Sequence, residues 1–300
     1  MNLNGTYIDD TFAEAFRMQY ARLVITAHDR FWLEAAIREC TGYSSSVIAC
    51  DAECGLESWL DSPCTPDGRI GAAVLVFGFD QERLAKAVAN RVGQCVMTCP
   101  STAVFDGLSE AKTRLPLGKH LRFFGDGFQK SKLVDTDRYW RIPVMDGEFT
   151  VVENVGMAPG VAGGNFILQS SDQERALSAA RLAVEAIETL AGVITPFPGG
   201  VARSGSKVGS RYPALVASTA DAFCPTLRGR VSSRLHEDAN CAYEVVIDGV
   251  DEQAVHAAMH CGMLEASASD VVAISAGNYG GKLGKFHFHL RSVLGDPSDA

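Results

Sequence analysis

A glycine-rich stretch at residues 195–211, TPFPGGVARSGSKVGSR, has a composition that suits ligand binding. Its glycines allow sharp turns and let a ligand come close to backbone N–H groups. Its serines add hydroxyl donors, and Arg203, Lys207 and Arg211 add positive charge. The stretch therefore predicts a loop for an anionic ligand that carries phosphate or carboxylate. The alternative is a long connecting loop with incidental charges, which is uncommon inside a compact protein.

The same stretch does not fit a nucleotide-binding P-loop. Gly200 and Gly205 have the required spacing, but Ser206 separates Gly205 from Lys207, so the lysine stands one position late. Pro213 follows where that motif requires a helix. Because the stretch also lacks an apolar period, it predicts neither a helix nor a regular strand.

Glu244 is the carboxylate that the strand pattern singles out. In the run AYEVVID at 242–248, alternation puts Val245 and Ile247 on one face of a strand and Glu244 on the other. A solvated polar face is the ordinary interpretation. If that face instead forms the wall of a cleft, a low dielectric raises the pKa of Glu244 and makes it a general acid–base group.

The histidines give two spacings that resemble metal sites. His256 and His260 stand four residues apart on a predicted helix, and His287 and His289 alternate on a predicted strand. Neither pair has an obvious third ligand, and two-residue matches are common by chance. We therefore expect no metal site.

The cysteines favour a reduced protein. Nine cysteines are an odd number in a chain of this length. Cys50 and Cys54, like Cys95 and Cys99, have three residues between them, which is a poor spacing for zinc or iron–sulfur ligands on strands and loops. We expect buried free thiols in a cytoplasmic protein. A hydrolase serine triad is not supported, because no G-x-S-x-G motif occurs.

Composition and charge exclude several classes of partner. The chain has 300 residues, of which 47% are hydrophobic and 21% charged, and a net charge of −9. This acidic balance argues against a general binder of nucleic acid or anionic membrane, so any site for an anion must be locally positive. No apolar run approaches the ~20 residues that span a bilayer. The first residues show no secretory signal pattern.

Periodicity predicts two strand–helix–strand units in the first half of the chain. The first segment, 11–22, predicts a short helix, with Thr11 as N-cap and Glu14 three places on. The other predicted elements are strand 23–27, helix 29–41, strand 45–50, loop 50–69, strand 72–79, helix 80–92 and strand 94–100.

The second half repeats this alternation. The predicted elements are edge strand 138–144, strand 147–157, strand 163–170, helix 171–192, a short strand at 193–197, strand 241–249, helix 251–266, a strand with a second glycine loop at 270–284, and strand 285–294. The last residues, 295–300, predict a mobile tail.

An internal repeat indicates the fold class. A strand, a helix, a second strand and a Gly-Gly pair occur at 165–200 and again at 241–281, each followed by a lysine. Two strand–helix–strand units in one sheet make a ferredoxin-like arrangement. We predict an α+β protein of two ferredoxin-like lobes that arose by duplication, at 1–143 and 144–300. A doubly wound dinucleotide fold is the alternative, but its G-x-G-x-x-G fingerprint is absent.

Collinear motifs resemble those of one enzyme family. They are DDTFAEAF (9–16), VGQCVMT (92–98), FFGDGF (123–128), IPVMDGEF (142–149), PFPGGVARSGSKVGS (196–210), CPT (224–226), YEVVIDG (243–249) and ISAGNYGGKLG (274–284). This set resembles the formylmethanofuran–tetrahydromethanopterin formyltransferases, and the bacterial branch found in methylotrophs more closely than the archaeal one. The resemblance covers the chain apart from its tail.

The resemblance implies transfer of a formyl group between N5 of tetrahydromethanopterin and the amine of methanofuran or its bacterial analogue. Both carriers are then substrates, and no cofactor or metal is expected. The family fold is two ferredoxin-like lobes. Archaeal relatives are homotetramers, and bacterial relatives work with hydrolase subunits in the oxidation of formaldehyde to formate. The resemblance therefore implies a homo-oligomer, hydrolase partners, and flux towards methanofuran.

The resemblance also assigns roles to residues. Glu244 matches the family glutamate proposed as the general acid–base group. The substrate-binding candidates are Gly199, Gly200, Arg203, Ser206, Lys207, Asn165, Asn278 and Lys282, whose N–H groups, side-chain donors and charges suit an oxyanion and anionic substrate tails. Ala220 stands where relatives are expected to carry Asn, so substrate binding here is expected to differ. The segment 57–64 is also atypical, and we expect it on the surface.

Two other functions remain open at this point. A catalytically idle subunit that scaffolds a hydrolase complex would fit the resemblance, but the intact glycine loops and Glu244 favour an enzyme. A generic anion-binding module of ferredoxin-like fold would fit the loops alone, and the collinear motifs disfavour it.

Overall fold

In the computed structural model, which describes residues 1–205 and 207–295, four helices longer than ten residues follow the same capping rule. Each begins after an aspartate whose carboxylate accepts a hydrogen bond from the N–H three residues on. The helices are α1 (Arg30–Thr41), α2 (Gln81–Arg91), α3 (Gly118–Leu121), α4 (Gln173–Ile187), α5 (Glu252–Ser267) and α6 (Leu290–Val293). None of the helices in this described part is long and apolar enough to cross a membrane.

Two strands are long, one near the start of the chain and one at its middle, and the others have nine residues or fewer. They are β1 (Asn2–Leu3), β2 (Thr6–Ile8), β3 (Phe12–Thr26), β4 (Glu53–Leu60), β5 (Gly71–Gly78), β6 (Ala103–Asp106), β7 (Thr113–Pro116), β8 (Lys130–Val134), β9 (Asp137–Val144), β10 (Gly147–Val152), β11 (Asn154–Ser170), β12 (Val193–Ile194), β13 (Val201–Ala202), β14 (Lys207–Val208), β15 (Ala217–Ser218), β16 (Cys241–Gly249), β17 (Ala273–Ser275) and β18 (Phe286–His289).

The chain forms two compact units. The inserted unit is Met18–Pro159, and the terminal unit joins Met1–Arg17 to the chain from Gly160 onward. The terminal unit includes the first residues because Phe12–Ala15 of β3 pairs with Phe286–His289 of β18. The bounds of these two units differ from the bounds of the consecutive lobes predicted at 1–143 and 144–300. The division at 143/144 remains a prediction that rests on the internal sequence repeat.

The inserted unit contains a ferredoxin-like β-α-β-β-α-β run. Its chain order is β3, α1, β4, β5, α2 and β6, and its strands lie in the order β4-β5-β3-β6. β10, β9 and β8 extend this sheet beyond β6. Leu33 of α1, Leu84 of α2 and Val74 of β5 are fully buried in one apolar core.

The terminal unit repeats the same order with a broken second strand. Its chain order is β11, α4, β12 with β13, β16, α5 and β17, and β16 lies between β11 and the pair β12/β13. β17 pairs with the other edge of β11. The helices α4 and α5 pack on one face over Val245, Ile247 and Phe166. The predicted α+β fold with two ferredoxin-like lobes is therefore confirmed.

The sequence prediction was wrong where short apolar runs were ambiguous. Residues 11–22 form the start of strand β3, because Glu14 takes part in a tertiary contact instead of a capping box. Residues 45–50 form turns, and the predicted loop 50–69, with the atypical segment 57–64, contains strand β4 and the buried Glu57. Residues 94–100 form a π-helical extension of α2 and a turn.

Smaller differences concern element ends. The predicted strand 147–157 is β10 followed by the start of β11, and the predicted strand 285–294 is β18 followed by α6. The glycine-rich stretch contains two-residue strands, β13 and β14. The predicted mobile tail lies outside the described residues from 296 onward.

Candidate active site

Glu244 lies in the middle of the terminal unit's sheet. On β16 it is paired with Ile167 of β11 on one side and Ala202 of β13 on the other. Its strand neighbour Val245 points into the helix-covered core and is fully buried. Glu244 therefore lies on the face opposite the helices, as the alternation of the sequence predicts.

The Glu244 carboxyl has no counter-ion in the part of the chain that the structure describes. Among the described residues, no side chain or backbone N–H donates a hydrogen bond to it, and none forms an ion pair with it. Burial raises the pKa of Glu244 from its ordinary value to about 7. Its Oε1 lies 3.2 Å from the point where a methyl group on Gly277 would stand, so glycine leaves room there. Near neutral pH this carboxyl can both accept and donate a proton.

A small cavity opens beside Glu244. Its volume is about 30 Å³, enough for about one water molecule. Its walls come from the sheet residues Ile167, Ala202 and Glu244 and from a covering segment, residues 203–205 and 207–239. Ala220 and Cys224 of that segment also line it. The position where an asparagine was expected is thus part of the cavity wall.

The first glycine loop interrupts the strand beside Glu244. β12 pairs with the far end of β16, β13 pairs at Val245 and Glu244, and residues 195–200 bulge out between them. Gly199 and Gly200 both have positive φ, of 60° and 74°. Gly200 is buried, and a methyl group there would stand 2.6 Å from Val184 of α4. Gly200 therefore lets the loop pack against α4.

The predicted cations of the first loop differ in their partners. Arg203 is exposed and makes no ion pair among the described residues. Lys207 donates from Nζ to Oδ2 of Asp221 at 2.7 Å, and this contact holds the pKa of Asp221 below its usual value. Ser206, a predicted substrate ligand, lies outside the described residues. Arg203 therefore offers an uncompensated charge, and Arg211, also exposed, makes no ion pair among the described residues either.

Glu14 is a site-forming residue that the sequence analysis missed. It is 1% exposed, and its two oxygens accept hydrogen bonds from the N–H groups of Tyr279, Gly281, Leu283 and Gly284 at 2.5–2.9 Å. Burial alone would raise the pKa of Glu14, but these donors outweigh burial and lower it. The second glycine loop therefore already encloses an anion, the protein's own carboxylate.

The two predicted asparagines hold backbone in place. Asn165 accepts from Gly277 N at 2.6 Å and donates to the carbonyls of Gly163 and Gly277. Asn278 donates to Thr11 Oγ1 at 3.1 Å and to the carbonyl of Phe12 at 3.0 Å, and accepts from Gly280 N. Asn165 thus fixes Gly277 beside Glu244.

The remaining candidates are Lys282 and the two histidine pairs. Lys282 is exposed and makes no ion pair among the described residues. His256 and His260 are exposed on α5, and His287 and His289 pack against the Phe12 ring. In the described part of the chain, no three His, Cys, Asp or Glu side chains come together as a metal site would require.

Two larger cavities, of about 810 and 790 Å³, lie in the inserted unit. In the first of them Arg69 pairs with Asp67 and Arg141 pairs with Glu148, so these charges are balanced internally. Their volume favours these two cavities as the active site. The carboxyl of Glu244, with its near-neutral pKa and no partner among the described residues, favours the small cavity instead. We place the candidate chemistry at Glu244 because perturbed titrating groups mark active sites more specifically than volume does.

Both halves of the chain match models of one family. Residues 1–144 match the model described as formylmethanofuran-tetrahydromethanopterin formyltransferase, and residues 147–293 match the model described as FTR, proximal lobe. The formylmethanofuran–tetrahydromethanopterin formyltransferase of Methylobacillus flagellatus is 50% identical over 301 residues, which cover 98% of this chain and 100% of the relative.

Solved structures agree with this match. The formyltransferase/hydrolase complex of Methylorubrum extorquens, in complex with methylofuran, contains a chain with a TM-score of 0.95 and 43% identity, covering 99% of both chains. The formylmethanofuran:tetrahydromethanopterin formyltransferase of Methanosarcina barkeri has a TM-score of 0.92 and 43% identity, covering 98% of this chain and 100% of that one.

Proposed function

The chain belongs to the formylmethanofuran–tetrahydromethanopterin formyltransferase family, and from this membership we propose that it moves a formyl group between N5 of tetrahydromethanopterin and the amine of methanofuran or a close analogue. The observation that carries the proposal is the Glu244 carboxyl, which has no partner among the described residues and whose pKa is raised to about 7. A formamide is unreactive, so attack on it needs proton transfer at both nitrogens.

Glu244 performs both proton transfers in this proposal. The methanofuran nitrogen attacks the formyl carbon, and the Glu244 carboxylate takes the proton that this nitrogen loses. The tetrahedral intermediate then breaks its bond to N5, and the Glu244 carboxylic acid returns the proton to N5. A group with a pKa near the operating pH suits both steps, because both of its protonation states are populated.

The donors for the tetrahedral oxygen come from the remaining wall of the cavity. Four N–H groups of the second glycine loop are occupied by Glu14, and the Asn165 amide is occupied by Gly277. We therefore assign the oxyanion to the side of the cavity formed by Arg203, Ser204 and Gly205. Removing one such donor typically costs ~10²–10³ in rate.

Substrate binding follows from exposed charge near the loops. We assign Arg203 and Lys282 to anionic parts of the substrates, because neither has an ion-pair partner among the described residues. Gly199, Gly200, Ser206 and Lys207 remain predicted ligands of the first loop, with Lys207 exchanging Asp221 for substrate. Asn165 and Asn278 act by holding backbone beside the substrate.

We further propose the setting of the reaction. No cofactor or metal takes part, and the two carriers are substrates. The chain forms a homotetramer and works with hydrolase subunits, by analogy with the formyltransferase/hydrolase complex that contains its relative. Its nine cysteines are all free, which supports a reducing cytoplasmic compartment.

The test is formyl exchange by the purified chain, followed spectrophotometrically with formyl-tetrahydromethanopterin and a methanofuran analogue in the presence of EDTA. We expect activity from the chain alone. Activity that disappears with EDTA and returns with added metal would refute the metal-free transfer. If neither the chain alone nor the chain with added hydrolase subunits shows formyl exchange, the proposed enzyme activity is refuted and the scaffold alternative is favoured.

A further inference from the structure

Arg234 is a cation that the proposed reaction has not used. It lies on the covering segment, and its guanidinium packs over the Phe223 ring at 5.0 Å from the ring centre. Its Nη2 donates to the hydroxyls of Thr11 and Ser275, both at 3.3 Å. An arginine has five N–H donors, so three of them have no acceptor among the described residues.

Four other arginines of the terminal unit are compensated. Their acceptors are Asp270 for Arg175, Glu185 for Arg181, Asp10 for Arg291, and three backbone carbonyls of residues 236–239 for Arg228. Arg234 forms no ion pair among the described residues. Burial lowers the pKa of Arg234, and Asp9 raises it through space without a direct contact. The Arg234 side chain is exposed, and its guanidinium is held by two hydroxyls and an aromatic ring without an ion-pair partner among the described residues.

Arg234 also lies beside Glu244. Phe223, on which it packs, forms part of the wall of the Glu244 cavity. Ser275, to which it donates, is paired with Ile167, and Ile167 is paired with Glu244, so the three lie in one row on the same face. Ser275 and Gly277 are two residues apart, at most about 7 Å between Cα atoms. Because neighbouring strands lie ~4.8 Å apart, roughly 10 Å separates the backbones of Ser275, which holds the guanidinium, and Glu244.

We propose that Arg234, held by Ser275 and Thr11, is a subsite for an anionic oxygen group of one substrate while the formyl-bearing nitrogen of that substrate lies at Glu244. A planar guanidinium with free N–H groups matches a carboxylate or a phosphate in a two-pronged contact. Its stacking on Phe223 fixes the plane of the fork before the ligand arrives. The place of this subsite in the reaction rests on the proposed function. Its preference for an anionic group rests on the geometry of Arg234.

The kinetic test compares Arg234→Gln and Arg234→Lys with Arg230→Gln. Like Arg234, Arg230 is exposed on the same segment, but among the described residues its side chain forms no hydrogen bond, ion pair or ring contact. We expect Arg234→Gln to raise KM for one of the two substrates by about 10–100-fold, with kcat within about threefold. Arg234→Lys should recover part of this loss, because a lysine keeps the charge without the fork. The affected substrate identifies which carrier supplies the anionic group.

Equal kinetic constants for Arg234→Gln and Arg230→Gln would overturn the subsite. A uniform loss of kcat with unchanged KM for both substrates would also overturn it, because that pattern indicates a structural role. Should Arg234→Gln fail to fold, as judged by circular dichroism, Ser275→Ala provides the second variant. It keeps the arginine but removes one of its supports, and we expect a smaller rise in the same KM.

A binding measurement separates this inference from the proposed function. Inorganic phosphate, at constant ionic strength against chloride, should raise the thermal midpoint of the wild-type chain and of Arg230→Gln but not that of Arg234→Gln. If phosphate raises the thermal midpoint in an Arg234-dependent way but the chain shows no formyl transfer, the proposed enzyme activity is refuted and the anion subsite is supported. Equal phosphate effects in the wild type and Arg234→Gln, with active enzyme, would refute the subsite alone.

Discussion

Two carboxylates of the terminal unit, Glu14 and Glu244, show how opposite environments act on one functional group. Both lie on strands, and each is close to a glycine-rich loop. Glu14 receives four backbone N–H groups, and its pKa is lowered. Glu244 receives no hydrogen bond from any described residue, and burial raises its pKa to about 7.

The difference shows that burial alone does not decide the protonation of a carboxyl. At Glu14 the backbone donors supply the stabilisation that water would give, so the charge is retained and the loop is fastened to it. At Glu244 no described donor stabilises the carboxylate, so the proton is bound more tightly than usual and both protonation states are populated near neutral pH. Glu14 has a structural role because backbone donors satisfy its carboxylate. Glu244 is suited to catalysis because no described donor satisfies its carboxylate.

The largest expected effect is on the rate, from Glu244→Gln. The variant cannot exchange a proton, so we expect kcat to fall by ~10²–10⁴, which corresponds to roughly 3–5 kcal/mol in the barrier. Circular dichroism and urea unfolding should show an intact fold. The measurement is steady-state formyl transfer with the wild type as reference. A rate within a few-fold of wild type would remove Glu244 from the mechanism and abolish the contrast.

Next is the stability effect of Glu14→Gln. An amide offers one acceptor oxygen and directs its own N–H₂ group at two backbone donors, so buried N–H groups lose their partner. We expect the free energy of unfolding at pH 7 to fall by about 3 kcal/mol, measured by urea denaturation. Glu148→Gln, on an exposed ion pair, is the matched control and should change it by under about 1 kcal/mol. Equal effects would contradict the assigned role of Glu14.

A smaller effect is expected from the glycines of the first loop. Gly200→Ala adds a methyl group at positive φ that stands 2.6 Å from Val184, whereas Gly199→Ala has positive φ but nothing within 4 Å. We expect a loss of stability of about 2–3 kcal/mol for the first and about 1 kcal/mol for the second, by thermal unfolding. If the two losses are equal, packing against α4 does not hold this loop.

The smallest effect is a difference in the pH dependence of stability. The pKa of Glu244 is raised on folding, so ionisation weakens the fold as the pH rises from about 4.5 through 7. Glu244→Gln should therefore gain stability relative to wild type at pH 8 and lose that gain at pH 4. Glu14 has the opposite sign, because its lowered pKa stabilises the fold above the unfolded value near 4.5 and loses this below it.

Urea unfolding at pH 4, 6 and 8 measures both differences. Glu14→Gln should be most destabilised at pH 6–8 and least at pH 4. Parallel curves for the two variants would show that the two carboxyls do not differ in the way described.

The elements that the sequence predicted correctly carry their own local signals. Each of the four long helices has an aspartate N-cap that is visible in the sequence, and β16 has an unbroken alternation that correctly placed Glu244 opposite the core. Motifs that agree along the whole chain identified the family. These features are local or collinear, so tertiary contacts did not alter them.

The sequence could not show contacts between distant segments. Thr11 and Glu14 matched a helical capping box, but Glu14 binds residues 279–284, which lie more than 260 positions away. The same separation hid the role of Arg234, which contacts Thr11 and Ser275. Asn165 and Asn278 were predicted as ligands from their type, and only the structure shows that their amides hold backbone.

The discontinuous make-up of the terminal unit has a consequence for the order of events on the ribosome. Met18–Pro159 emerges as one piece, so the inserted unit can fold during synthesis, whereas Phe12–Ala15 must await Phe286–His289. At ~5–20 residues per second, the nascent chain carries that unpaired apolar strand for on the order of ten seconds after Pro159 appears. A ribosome that stalls before Tyr279 leaves the Glu14 carboxylate without the four backbone N–H groups that bind it in the folded chain.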